Sequence, residues 1–135
     1  MNFKVFARHQ IGSIISTALD FSTMIAWVEL GGGSPVTGTA VGATVGALSN
    51  FTLGRHWIFD AQARPVGAQM FRYALVSLFG LGWNTVGQKV LLTISSLPYP
   101  LTRAMIAVAV GVFWNYPMQR WFVFHKPVLP PREPA

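Results

Sequence analysis

Two arginines, Arg55 and Arg120, stand in the same eleven-residue frame, and that recurrence is the main chemical signal of the chain. Residues 49–59 read SNFTLGRHWIF and residues 114–124 read WNYPMQRWFVF. Each has an asparagine (Asn50, Asn115), an aromatic residue, three residues, the arginine, one residue, an aromatic, one residue and a phenylalanine. A guanidinium is planar, permanently charged and able to offer paired N–H donors to phosphate oxygens. Arginines also snorkel to a membrane surface as plain anchors, but recurrence within one pattern favours a phosphate-bearing head group. Arg8 and Arg72 form a second pair with a weaker case, each twelve residues ahead of a polar residue, Asp20 and Asn84.

Asp20 is the only acidic residue deep in an apolar run. A carboxylate at the centre of a bilayer costs roughly 2.5–3.5 kcal/mol, so it requires a partner or a proton. Three roles fit it: a structural hydrogen-bonding group, a partner for an arginine of the site, or a proton-coupling group. Asn84, its counterpart, does not titrate, which counts against a symmetric proton mechanism. Asn50 and Asn115 fit equally as hydrogen bonds between helices or as groups that orient a head group. Lys89 and Arg103 mark a smaller basic station at the opposite boundary, where they could contact a phosphate. His9, His56 and His125 have no partners at metal-ligand spacing and read as surface groups. The chain has no cysteine, no Ser-His-Asp order, no paired carboxylates and no phosphate-cradling loop. The expectation is therefore no enzyme, no catalytic residue, no cofactor and no metal.

These groups need helices in lipid to position them. Hydrophobic residues make up 52% of the 135 residues and charged ones 10%, against roughly 25% charged in soluble domains. A spanning helix takes about 20 mostly apolar residues. Four stretches fit, at about residues 11–30, 36–54, 73–92 and 101–119. A basic start resembles a signal peptide, but the long run, Asp20 and the missing small-x-small site argue for a retained helix. The excess of ten Lys+Arg over four Asp+Glu would suggest nucleic acid in a soluble protein. Here the basic residues cluster between apolar runs, as loop charge on a membrane protein does. Lys4, Arg8 and His9 precede the first run, Arg55, His56, Arg64 and Arg72 join the second to the third, and Arg120, His125, Lys126 and Arg132 follow the fourth. By the positive-inside rule both termini lie in the cytoplasm. Trp27 falls near the outer interface and Trp57 and Trp121 near the inner one.

The matching frames extend into an internal repeat. Arg8, Asp20, Asn50 and Arg55 recur as Arg72, Asn84, Asn115 and Arg120 at a nearly constant offset. The expected fold is all-α: a polytopic membrane protein of four transmembrane helices, a single domain over residues 1–135. It is built as a parallel repeat of two two-helix halves, about residues 6–59 and 70–124, with a disordered Pro-rich tail at 127–135. Gly38, Gly42 and Gly46 recur every four residues, which lets helices approach closely in lipid. With a bundle this small, a homodimer or larger assembly is expected, and that glycine face is one possible contact.

The two frames, with Arg8, Asp20 and Asn84, resemble those of the GtrA-like family of small four-helix membrane proteins, over roughly residues 6–124. Asn50, Phe51, Arg55, Trp57 and Phe59 match its pattern after helix two, and Tyr116 and Phe122 are aromatic variants in the second copy. The resemblance implies translocation, or flipping, of a polyprenyl-phosphate-linked sugar across the bacterial cytoplasmic (inner) membrane for cell-surface polysaccharide synthesis, O-antigen among them. Undecaprenyl phosphate glucose is the typical cargo, and a membrane glycosyltransferase is the typical partner. The implied lipid-phosphate and sugar contacts are Arg8, Asp20, Asn50, Arg55, Arg72, Asn84, Asn115 and Arg120. Two rivals stand beside this reading. One is an accessory subunit that anchors or regulates a glycosyltransferase. The other is a proton-coupled exporter of small molecules, which would depend on Asp20 rather than on the arginines.

Overall fold

The computed structural model describes residues 2–126, all helices and connections, with no strand among the described residues. Helix α1 spans Phe3–Glu29, α2 Pro35–Leu53, α3 Val66–Ile94 and α4 Tyr99–Val110. The expected tail at 127–135 lies outside the described residues. Local chemistry sets two of the starts. Asn2 accepts from the backbone N–H groups of Lys4 and Val5, and Ser34 accepts from that of Thr37. Pro35 follows at the first helical position, where a missing N–H costs nothing.

Two helices run on past their regular ends. After Leu53, α2 passes into a π turn, π1, over Gly54–Ile58. After Val110, α4 continues through π2 (Gly111–Asn115), one α turn (Tyr116–Met118) and π3 (Gln119–Val123). Pro117 sits in that single turn, so its missing donor falls where the α register already gives way. The two arginine frames end alike: Phe59 N–H donates to Gly54 O at 2.9 Å, and Phe124 N–H donates to Gln119 O at 2.8 Å.

Helices α1 and α3, of 27 and 29 residues, are rods of about 40 and 44 Å, longer than the roughly 30 Å of bilayer hydrocarbon. Among the described residues, α1 is the one helix that is both long and apolar enough to count as a span by composition. The physical reason is plain in the other three. Glycine, serine and threonine dilute α2, Asn84, Gln88 and Lys89 interrupt α3, and π2 cuts the regular part of α4 to 12 residues. The arrangement of side chains is still turned outward: Phe113 is 80% exposed, while Gln69 and Thr102 are 1% and 0% exposed.

Helices α1 and α2 pack along their length. A methyl group added at Gly42 would lie 2.5 Å from the backbone O of Asp20, and one at Gly46 would lie 2.8 Å from the Asp20 Cβ. A Cβ at Gly38 would meet Val28 and Met24. The glycine face is thus consumed by α1 of the same chain, and the expected homodimer contact through Gly38, Gly42 and Gly46 is corrected. Helices α3 and α4 touch over a much shorter stretch. The halves meet in a core of Phe51, Ile58, Phe59, Val76, Tyr116, Val123 and Phe124, where the two frame-ending rings, Phe59 and Phe124, stack at 5.3 Å. A second correction follows there: His9 is buried (2% exposed), edge-on to Tyr116 at 5.3 Å, and is no surface group.

Candidate functional site

The end of the bundle that carries π1 and π3 holds the four arginines, and it uses them in two ways. Arg8 Nη1 donates to Trp57 O (3.3 Å) with its guanidinium 5.6 Å over the Trp57 ring. Arg72 repeats this on π3, donating to Phe122 O (3.1 Å) and lying 5.3 Å over the Phe122 ring. Each arginine therefore clips the π turn of its own half through one carbonyl and one aromatic face. A π turn leaves carbonyls outside the usual i−4 pairing, and an arginine from the neighbouring helix meets one of them.

The frame arginines diverge. Arg55 donates to the carbonyls of Arg64 (3.0 Å) and Gln62 (3.1 Å) and to Gln69 Oε1. Gln69 in turn donates to Ala61 O at 2.8 Å. Arg55 is the buckle of the connection between the halves. Its counterpart Arg120 donates to Tyr116 Oη at 2.9 Å and lies 5.8 Å from the Trp121 ring. No loop carbonyl engages it among the described residues. Arg120 and Arg8 line one cleft of about 470 Å³ with Lys4, Trp57, Trp121, His125 and Lys126. The acid in that wall is Asp60, 3.7 Å from Lys126 in an exposed pair, so the cleft stays basic. Arg72 lines a separate, smaller cleft of about 230 Å³ with Arg64 and Gln69.

Halfway along α1 and α2 lies a polar cleft of about 200 Å³, bordered by Ser13, Ser16, Thr17, Asp20, Gly46, Asn50 and Tyr73. Asn50 Nδ2 donates to Tyr73 Oη at 2.9 Å, which leaves Asn50 Oδ1 buried without a partner. The Ser16 hydroxyl is likewise buried and unpartnered. The equivalent groups of the second half are used differently. Asn84 donates to the Gly80 carbonyl of its own helix at 2.8 Å. Asn115 sits beside Gly80, where an added Cβ would come within 3.0 Å of its Oδ1.

Toward the opposite end, α3 and α4 enclose a cleft of about 470 Å³ lined by Leu81, Asn84, Thr85, Gln88, Arg103, Ile106 and Ala107. Gln88, in its lining, donates to the buried Thr102 Oγ1 of α4 at 2.9 Å. Arg103 belongs to this cleft, whereas Lys89 is exposed and does not line it. The structure thus brings Arg8 to Arg120, Asp20 to Asn50, and Asn84 to Arg103, and it keeps Arg55, Arg72 and Asn115 apart from these groupings. Sequence reasoning missed Ser13, Thr17 and Tyr73 as cleft residues, and Lys4 and Lys126 as companions of Arg8 and Arg120. Ser16, four residues before Asp20 on one helical face, carried a signal; the others owe their place to packing between distant elements. Among the described residues no three or more His, Cys, Asp or Glu side chains cluster as metal ligands.

The family model for the GtrA/DPMS transmembrane domain matches residues 9–124. Neither a curated protein nor a solved structure matches the chain. The match takes in both arginine frames and most of every helix, though Lys4, Arg8 and Lys126 of the basic cleft lie outside it, and the chain is a membrane protein of the GtrA/DPMS transmembrane-domain family.

Proposed function

We propose that this protein moves a polyprenyl-phosphate-linked sugar, such as undecaprenyl phosphate glucose, from the cytoplasmic to the outer leaflet of a bacterial inner membrane. The cargo serves cell-surface polysaccharide synthesis. The chain crosses the membrane four times, as two parallel two-helix halves, with both termini cytoplasmic. The observation that carries the reading is the basic cleft of about 470 Å³ at the end bearing the arginines, where Lys4, Arg8, Arg120 and Lys126 converge beside Trp57 and Trp121. Cations in a recess between indole rings suit an anionic head group at the membrane interface, where indoles prefer to lie. The role first expected of Arg55 passes to Arg8 and Arg120, because Arg55 is occupied by loop carbonyls.

The sugar takes the α3–α4 cleft, whose Asn84, Thr85 and Gln88 offer hydrogen bonds to hydroxyls while its apolar wall faces the ring. Arg103, in the same cleft, receives the phosphate on the far side. The polyprenyl chain stays in lipid. A membrane glycosyltransferase supplies the loaded lipid, and a second copy of the chain flanks the open α3–α4 side. No covalent step is involved, and the protein is not an enzyme in this scheme.

The test is leaflet-resolved translocation of undecaprenyl phosphate glucose in liposomes containing only the purified protein. Wild type transports, while Arg8→Ala and Arg120→Ala, folded and inserted, lose most of the rate. Folded wild type that leaves the lipid where it started would sink the stand-alone flippase. The accessory-subunit reading would then take its place, to be read as loss of glycosyltransferase stability on deletion.

A further inference from the structure

The small cleft between α1 and α2 has a donor set that the lipid-handling scheme does not use. It holds one carboxylate, Asp20, which makes no ion pair or side-chain hydrogen bond among the described residues. The same cleft is lined by two residues whose oxygens have essentially no surface open to water and no partner, Ser16 Oγ and Asn50 Oδ1. Ser16 itself is 5% exposed. The Asn50 amide is held by its bond to Tyr73 Oη, which turns the carbonyl oxygen away from that partner. Buried polar atoms of this kind normally have partners, and those that lack one call for an explanation.

From this arrangement we propose that Asp20, Ser16 and Asn50, with the hydroxyls of Ser13 and Thr17 nearby, form a sodium-binding site. All the donors are oxygens, which suits a hard cation. A single carboxylate balances one positive charge, whereas divalent sites usually gather several carboxylates. A sugar hydroxyl is about as bulky as water and does not reach two atoms that water does not reach; a bare sodium ion is smaller. A proton on Asp20 would supply one O–H donor, enough for at most one of the two unpartnered oxygens, and would leave the other unexplained. Gly42 and Gly46 let α2 close on Asp20, as the contacts of an added Cβ there show, and so keep the site narrow. Ion sites near mid-membrane between packed helices are a transporter feature. Sodium binding stands by itself; its use to drive the outward step by exchange rests on the proposed flippase function.

The experiment follows thermal unfolding of the full-length chain in detergent by tryptophan fluorescence, at constant ionic strength, in sodium, potassium or choline chloride at two pH values. The expected result is a saturable rise in Tm with sodium and none with the other two cations. Asp20→Asn abolishes the rise, and Ser16→Ala raises the half-saturating sodium concentration at least tenfold. Should Asp20→Asn not fold, Ser16→Ala decides alone, and an unchanged half-saturation overturns the site. Equal Tm values in all three salts overturn it too, as does a response to pH without one to sodium. Sodium binding is read without lipid, so a protein that binds the ion but moves no lipid keeps the site and loses the flippase.

Discussion

The two helical hairpins share a sequence frame and an apolar outer surface, yet they are packed differently. In the first, α2 presents glycines to α1, and the gap that remains is a narrow polar cleft of about 200 Å³ around Asp20. In the second, Ala107 stands at the position of Gly42, the helices part, and a cleft of about 470 Å³ opens around Asn84 and Arg103. The arginines divide in the same manner: Arg55 is locked by the loop that joins the halves, while Arg120 lines an open basic cleft. Matching sequence frames are thus packed into different surroundings. One hairpin is suited to hold something small and the other to admit something large.

The sharpest way to break this contrast is to force the tight hairpin open. Gly42→Leu places a side chain against the backbone O of Asp20, which cannot swing aside. It should cost about 3 kcal/mol, the upper part of the usual range for overpacking, read as a fall in unfolding midpoint in detergent. Next is the split between the frame arginines. Arg55→Ala removes the donors to two loop carbonyls and Gln69 and should cost about 2–3 kcal/mol of stability. Arg120→Ala should leave the midpoint nearly unchanged but weaken binding of the phosphate-bearing lipid about tenfold, or ~1.4 kcal/mol. Equal effects of the two substitutions on both readouts would erase the distinction.

A smaller effect probes the open hairpin. Ala107→Leu fills part of the α3–α4 cleft and should slow sugar-lipid translocation several-fold, with stability altered by less than about 0.5 kcal/mol. Smallest is a pair at equivalent positions of the two halves. Gly111→Ala meets nothing within 4 Å and should gain about 0.5 kcal/mol from helix propensity. Gly46→Ala drives a methyl to 2.8 Å from the Asp20 Cβ and should lose about 1 kcal/mol. Thermal unfolding of the two variants side by side checks the opposite signs.

Much of the fold was legible in the chain. The apolar stretches predicted at residues 11–30 and 36–54 fall on α1 and α2, and those at 73–92 and 101–119 on α3 and the π-broken arm of α4. The π turns were not legible, because a register of i→i+5 has no residue signature beyond the frames themselves. His9 read as a surface group since its burial depends on Phe59 and Tyr116, which lie far away in sequence. The glycines announced close packing but not the partner, and only the contact with Asp20 shows that α1 takes that face.

By itself the sequence determined the helical elements, the apolar exterior, the family and the twin arginine frames, because hydrophobic runs, caps and short motifs act over neighbouring residues. Tertiary structure alone decided which arginine is buckle and which is open, and which hairpin closes on Asp20. Those outcomes turn on distances between segments separated by tens of residues, where the absence of a methyl group on α2 closes one hairpin and the carbonyls of the joining loop select between two identical arginine side chains.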